Sequence, residues 1–566
     1  MSYLERAQAW TDDFFDNDTV NEVLKMNDNP ELLEDCFYKD LEFGTGGMRG
    51  IMGVGTNRIN EYTLGKNTQG LVNYLKELYP GKDLKVAVAY DCRNNSNTLA
   101  QTVANVLSAN GIIAYLFPEL RTTPALSFSV KELNCQAGIV LTASHNPPEY
   151  NGYKVYWADG GQIVPPQDKE IVDHINAIDF KDINFNANAS LIKLLGNEAD
   201  EAFFKASVTN GNFNAPSKDQ LSIVFTPLHG TSITAIPEVL KRAGYSNVHI
   251  VESQRVPDGN FPTVKSPNPE EPEALKLALE LAEDVDADIV IGTDPDSDRL
   301  GVAVRDNNKE LILLNGNQTM ILMIDFLLQE RQKKGFKKGD FIASTIVSTP
   351  MMNVIADSYQ VGYVETLTGF KWIADAIKKR EQQYFIGGGE ESYGFMVGDF
   401  VRDKDAVTAT LLACEIAAYT KANGSSMYQR LLELYKEHGC YKEHLISLVK
   451  KGKKGAEEIA QRMVDLREQP PTSIGGEKLV KIADYQRSIL IDLENHRETP
   501  IELPKSNVLI FHTDKGSIIA ARPSGTEPKI KFYISVNAPL EQLDNYSKLS
   551  DQLKERIDLI AEDFNS

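Results

Sequence analysis

Short apolar runs alternate with helical stretches along most of the chain, a pattern that predicts βαβ units around parallel or mixed sheets. Residues 84–90 (Leu-Lys-Val-Ala-Val-Ala-Tyr), 112–117 and 136–141 read as strands, with a helix over 99–109. A second block starts at the strand 221–226. It continues through a helix over 236–243, a strand over 248–251, a helix over 272–281 and a strand over 287–291. A third block has helices over 320–332 and 351–358, strands over 341–347 and 384–387, and a long helix over 406–419. Ahead of these, residues 1–40 read as acidic helix, over 3–15 and 20–38, broken near 27–30. The tail differs: a basic stretch at 450–454, Pro470 and Pro471 within 468–476, and strands over 507–512, 516–522 and 529–535. It closes with Leu543, Tyr546, Leu549, Leu553, Ile557 and Ile560 at helical spacing.

Composition narrows the class. The chain has 566 residues, 42% hydrophobic and 25% charged, so each block can bury a core. The net charge of −21 argues against broad nucleic-acid binding and against an anionic membrane surface. It leaves room for a small anionic substrate, because a few basic side chains can converge on one pocket. Cys36, Cys92, Cys135, Cys414 and Cys440 are scattered and form no C-x-x-C pair, which suits a reducing compartment. The N-terminus has no basic-then-apolar pattern, and no apolar run approaches the roughly 20 residues of a membrane span. The expectation is a cytoplasmic multidomain protein.

Five stretches carry candidate chemistry. The first, Thr142-Ala-Ser144-His145-Asn146-Pro147-Pro148, follows a strand and lies where α/β sheets place ligands. Ser144 suits a nucleophile or phosphoryl carrier; a turn that only ends the strand is the alternative. Thr142 and Asn146 stand where a hydrolase elbow needs glycine. The second, Asp294-Pro-Asp296-Ser-Asp298-Arg299, sits between strands over 288–291 and 300–304. Three carboxylates this close repel unless a cation binds, and oxygen-only ligands suit Mg²⁺ or Ca²⁺. Arg299 and Arg305 occupy the positions where an EF-hand needs Gly and Glu. A solvated acidic turn is the competing reading. The third, Gly387-Gly-Gly389-Glu390-Glu391-Ser392, lets a ligand approach glycine backbone beside carboxylates suited to hydroxyls, or is a glycine-rich hairpin. The fourth, Arg522-Pro-Ser524-Gly525-Thr526-Glu-Pro, offers donors for a phosphate dianion, or is a turn between strands. In the fifth, Gly44-Thr-Gly-Gly-Met-Arg49-Gly50, the glycines bring Arg49 close to a phosphate, or the stretch is a flexible loop.

Together, and in this order, the five stretches resemble the α-D-phosphohexomutase superfamily, most closely its phosphoglucomutase/phosphomannomutase members. The resemblance implies three related α/β domains with mixed sheets and a smaller C-terminal α+β domain, TATA-box-protein-like, around a central cleft. The expected boundaries are a helical extension 1–40, then 41–205, 206–318, 319–445 and 446–566. Carried over by position, Ser144 would be the phosphoserine. Asp294, Asp296 and Asp298, with the phosphate on Ser144, would hold one Mg²⁺. Arg49, His145 and Lys154 would surround the reacting phosphoryl group, and Lys154 or His145 would serve as base. Glu390 and Ser392 would take sugar hydroxyls, with Arg299 beside the metal ligands and Lys371 near the sugar. Arg522, Ser524, Gly525 and Thr526 would grip the non-reacting phosphate. The implied reaction interconverts hexose 1-phosphate and 6-phosphate, with a hexose 1,6-bisphosphate as intermediate and activator. Glu-Glu-Ser-Tyr-Gly favours glucose, with mannose phosphates a further substrate class. The long branch of the family also holds phosphopentomutases and a hexose-bisphosphate synthase. Bifunctional members carry His two residues after the loop serine, where this chain has Gly394. A sugar-phosphate sensor would need neither Ser144 nor the aspartates.

Overall fold

The structure is a computed structural model that describes residues 1–44, 46–450, 452–524 and 529–565. The chain divides into two compact units, one of Met1–Gly335 with Phe370–Gly424, the other of Phe336–Gly369 with Ser425–Ser566.

In the first unit, six strands form a mixed sheet: β1 (Gly47–Ile51), β2 (Lys85–Tyr90), β3 (Ile113–Leu116), β4 (Ala137–Leu141), β5 (Tyr150–Trp157) and β6 (Ile192–Leu194). Their order is β1-β5-β4-β2-β3-β6, with β2, β3, β4 and β6 parallel and β5 antiparallel to both its neighbours, β4 and the edge strand β1. β4 and the part of β2 past Lys85 are apolar because both sheet faces are covered, as parallel sheets require. Five more strands make a second mixed sheet: β7 (Ile223–Thr226), β8 (Val248–Ile250), β9 (Ile289–Thr293), β10 (Leu300–Arg305) and β11 (Leu311–Leu314), ordered β11-β10-β9-β7-β8. An antiparallel hairpin, Phe385–Glu390 with Gly394–Val397, and the helix Ala406–Ala422 complete this unit.

Several elements depart from the sequence expectation. The stretch 44–50 is not a loop throughout: Gly47–Ile51 is a strand that pairs with β5. The segment after Pro148 leaves the loop at Tyr150 and becomes β5, so Lys154 projects from a strand. The first helix stops at Ala9, because Trp10 turns into an aromatic cluster with Phe15, Phe37 and Tyr62. Asp16 then caps a new helix, Asn17–Met26.

The second unit holds a parallel pair, Phe341–Thr345 with Gly362–Thr366, joined by the helix Met351–Tyr359. It also holds an antiparallel sheet, ordered Cys440–Val449, Lys529–Ala538, Ile518–Pro523, Leu509–Thr513, Glu477–Asp484, Ile489–Asp492 and Arg497–Pro500. The helices Gly452–Glu468 and Tyr546–Asn565 pack on that sheet, with Phe532 and Phe564 rings 4.5 Å apart. Cys440–Val449 pairs along its whole length with Lys529–Ala538, so the tail's sheet starts at Cys440 rather than after residue 445. The helix Asn197–Gly211 likewise runs across the position 205/206. Among the described residues, no helix is long and apolar enough to cross a membrane.

Candidate active site

Ser144 follows the C-terminal end of β4, in the left-handed region at φ 52°. Its N–H donates to Thr142 Oγ1 at 2.8 Å, which closes the turn. Its own Oγ lies 3.2 Å from His145 Nδ1 and donates to Asp294 Oδ2 at 2.7 Å. The contact joins the ends of two sheets, β4 of the first and β9 of the second.

Asp294, Asp296 and Asp298 are buried, and one oxygen of each lies within 4.8 Å of the others. Asp294 Oδ1 accepts the backbone N–H groups of Asp298 and Arg299 at 3.0 and 2.9 Å. Asp296 Oδ2 accepts from Thr123 Oγ1 at 2.9 Å and Lys154 Nζ at 2.7 Å. Asp296 Oδ1 and Asp298 Oδ1 are buried with no hydrogen-bond partner. Buried carboxylate oxygens without donors are costly. Two such oxygens, with Asp294 beside them on the same turn, make a hard ligand set that fits a divalent cation, with Mg²⁺ the expected kind beside a phosphate.

The surrounding charges divide the carboxyls. Burial, then repulsion from Asp298 and Asp296, pushes the Asp294 carboxyl well up. Burial also pushes Asp298 up, but Lys404, Lys154 and Arg299 outweigh it and hold it well below the carboxylate range. Burial pulls the Lys154 ammonium down; Asp296 and Asp298 outweigh it and raise it above the ordinary lysine value. Burial, then Arg299 and Arg49, pushes His145 well down, so its imidazole is neutral near pH 7.

Arg49, on β1, donates to Asn146 Oδ1 at 2.9 Å and so reaches the serine loop. Arg299 pairs with Glu270 and lies 4.0 Å from Asp298 Oδ1. Glu390 and Ser392 sit at the turn of the hairpin, which touches the aspartate loop where the Leu300 N–H donates to the Tyr393 carbonyl at 3.0 Å. Lys371 stands at the start of the helix Phe370–Lys378, its Nζ 5.3 Å from the Trp372 ring centroid. In the second unit, Arg522 faces Lys531 across the sheet, and the Ser524 N–H donates to the Lys529 carbonyl at 2.7 Å. Gly525 and Thr526 lie outside the described residues.

The sequence reading missed Lys404. Its Nζ lies 3.3 Å from Asp298 Oδ2, 4.0 Å from Glu390 Oε1 and 3.7 Å from Asp403 Oδ1. Asp403 is itself held by Tyr156 OH at 2.6 Å and Gln162 Nε2 at 2.9 Å. Lys404 explains Gly394: a Cβ there would come within 2.3 Å of Lys404 Cδ and 2.7 Å of its Cγ. The lysine stem fills the space in front of position 394. The Asp403-Lys404-Asp405 triplet was the available signal.

Comparison with known proteins finds relatives over most of the chain. Three profiles match in order: "Phosphoglucomutase/phosphomannomutase, alpha/beta/alpha domain I" over residues 40–182, domain II over 201–308 and domain III over 315–435. A phosphoglucomutase of Staphylococcus haemolyticus is 37% identical over 525 residues, 92% of this chain and 94% of the relative. One of Staphylococcus aureus is 39% identical over 508 residues, 89% and 91% of the two chains. Among solved structures, a putative phosphomannomutase of Thermus thermophilus aligns with TM-score 0.68 at 21% identity, over 93% of this chain and 99% of that one. The open form of parafusin, a phosphoglucomutase of Paramecium, aligns with TM-score 0.65 at 18% identity, over 93% and 96%. At these identities the two structures speak for the fold.

Proposed function

Because the chain belongs to the phosphoglucomutase/phosphomannomutase family, we propose that it is a phosphoglucomutase. It interconverts glucose 1-phosphate and glucose 6-phosphate through phosphorylated Ser144 and glucose 1,6-bisphosphate. The observation that carries the reading is Ser144 Oγ at 2.7 Å from Asp294 within a buried three-aspartate cluster. The names of relatives at 37–39% identity over most of the chain support glucose as the sugar.

The phosphoryl group on Ser144 passes to the free hydroxyl of glucose 1-phosphate; the bisphosphate turns over, and its other phosphoryl group returns to Ser144 Oγ. Phosphoryl transfer needs in-line placement and charge neutralisation more than covalent chemistry. Arg49 and Lys154 bring positive charge to the serine loop and the aspartates. Asp294, Asp296 and Asp298, with a phosphate oxygen on Ser144, would hold Mg²⁺, which when bound neutralises charge on the phosphoryl oxygens. The hydroxyl's proton needs a base; His145 stands neutral beside Oγ, whereas Lys154 stands as a paired ammonium. Lys404 and Glu390 present a donor and an acceptor beside the metal ligands, suited to sugar hydroxyls. Arg522, Ser524, Gly525 and Thr526 are assigned to the second phosphate.

A rate panel tests this reading. Purified protein receives the 1-phosphates of glucose, mannose, glucosamine and ribose, each with Mg²⁺ and the matching bisphosphate, beside Ser144→Ala. Fastest turnover of glucose 1-phosphate, lost in the variant, is expected. A faster ribose or mannose reaction would overturn the choice of sugar.

A further inference from the structure

Arg93 lies just past the end of β2, outside every stretch the chemistry above invokes. Its side chain is buried and its guanidinium faces main-chain carbonyls of the segment that bears Ser144. Nη2 donates to the Ser144 carbonyl at 2.6 Å and to the Asn146 carbonyl. Nη1 donates to the carbonyls of Pro147 at 2.7 Å and Tyr150 at 3.0 Å. One side chain thus gathers carbonyls from the nucleophile itself to the first residue of β5. Convergent carbonyl dipoles in a dry site repel one another unless a multi-donor cation separates them, and a planar fork matches their spacing where an ammonium does not.

The arginine is itself fixed from two sides. Asp91 Oδ2 lies 3.4 Å from Nε, and neither side chain is exposed to solvent. Asp91 Oδ1 accepts the Arg93 N–H and the Ser96 hydroxyl, each at 2.9 Å. From the second sheet's side, the Phe261 ring centroid stands 5.2 Å from the guanidinium carbon. Gly259 allows this approach: a Cβ there would meet Asn94 N at 2.5 Å and the Arg93 carbonyl carbon at 2.9 Å. The segment that closes over Arg93 belongs to the same part of the chain as Asp294, the acceptor of the Ser144 hydroxyl. Both ends of the serine's placement, its backbone and its Oγ, are therefore referred to the second sheet.

We propose that Arg93 is a positioning residue for phosphoryl transfer: it holds the chain around Ser144 in the left-handed turn that aims Oγ at Asp294. It touches no reacting atom and binds no substrate. The proposal rests on Ser144 as the phosphoryl carrier. Its mark is therefore a loss in turnover with substrate binding kept, since a displaced nucleophile costs on the order of a hundredfold in rate.

The test uses full-length Arg93→Ala and Arg93→Lys, with Ser144→Ala beside them, assayed on glucose 1-phosphate with Mg²⁺ and bisphosphate. Arg93→Ala should lose about a hundredfold in kcat and Arg93→Lys at least about tenfold, with KM within about threefold of the parent. Guanidinium chloride at tens of millimolar should raise kcat of Arg93→Ala several-fold, where equal sodium chloride does not. Should the alanine variant not fold, the lysine variant decides, since it keeps the charge and the stem. Near-parental kcat in either folded variant, a loss confined to KM, or no response of folded Arg93→Ala to guanidinium would overturn the proposal. Full activity of Ser144→Ala would instead remove the reading on which it rests, and the proposal with it.

Discussion

Ser144 Oγ donates to Asp294 Oδ2 at 2.7 Å, although 150 residues separate the two in the chain. The serine loop and the carboxylate loop thus meet at one place, and on the proposed function Asp294 would have two tasks, fixing Oγ and joining the ligand set of a divalent cation. Asp294→Asn keeps the shape but removes the charge. It should raise the Mg²⁺ concentration needed for half-maximal activity at least about tenfold and lower kcat about 10²–10³-fold. Titration of each protein with Mg²⁺ after chelation measures both. An unchanged Mg²⁺ requirement would remove Asp294 from the metal site.

Lys404 and Gly394 should behave as a unit. Lys404→Met removes the ammonium beside Asp298 and Glu390. Gly394→Ala places a Cβ against the lysine stem and pushes the same ammonium aside. Each should lower kcat, and the double variant should be no slower than Lys404→Met, because residues that share one contact are not additive. Steady-state rates of the three variants check this; additive losses would show that Gly394 matters for another reason.

Glu415 ties the helix that follows Lys404 to the second block. It is buried and accepts from Phe213 N at 2.8 Å, Ala215 N at 3.0 Å and Tyr245 OH at 2.8 Å, and it pairs with Lys218. Glu415→Ala leaves three donors without their acceptor and takes the counter-charge from the partly buried Lys218, so it should cost about 3 kcal/mol of stability. Glu415→Gln should cost less, since an amide still accepts. Urea unfolding measures the order, and equal losses in the two would contradict it.

The strands and the carboxylate loop were legible because their physics is local. β2 past Lys85 and β9 up to Gly292 are apolar runs, and Asp294, Asp296 and Asp298 stand out against the buried strands around them. The helix Glu61–Leu78 was not legible. Its buried face includes Gly65, Asn67, Thr68, Gln69 and Gly70, a composition that masks the 3.6-residue period. Gly70 is required there, since a Cβ would come within 2.4 Å of Ile175 Cγ1, a contact 105 positions away that no local pattern encodes. β5 was hidden by Asn151, Gly152 and Lys154, residues poor in strand propensity but placed by β1 and β4 on either side. Lys404 and Arg93 acquire meaning only from what folding brings to them, Asp298 in one case and the carbonyls around Ser144 in the other.

The N-terminal helices give a pH dependence. Partial burial of Asp16 pushes its carboxyl up, but Thr19, Tyr62 and Asp18 donate to it and together lower it to about 2. A depressed carboxyl stabilises the fold above its unfolded value near 4 and loses that contribution as pH falls toward 2. Asp16→Asn should therefore melt lower than the parent at pH 7, with the gap shrinking as pH falls through that window. Thermal melts from pH 7 to pH 3 test the sign. A gap that widens on acidification would contradict it.

The most direct test of the account follows the phosphoryl group itself. The enzyme is phosphorylated by glucose 1,6-bisphosphate, freed of ligand, mixed with glucose 1-phosphate and Mg²⁺, and quenched over one turnover. Intact mass and peptide mapping should show one phosphate on Ser144, lost as glucose 1,6-bisphosphate appears in equal amount, and neither event in Ser144→Ala. Glucose 6-phosphate formed at an undiminished rate by Ser144→Ala, or a phosphate mapped to another residue, would contradict the account.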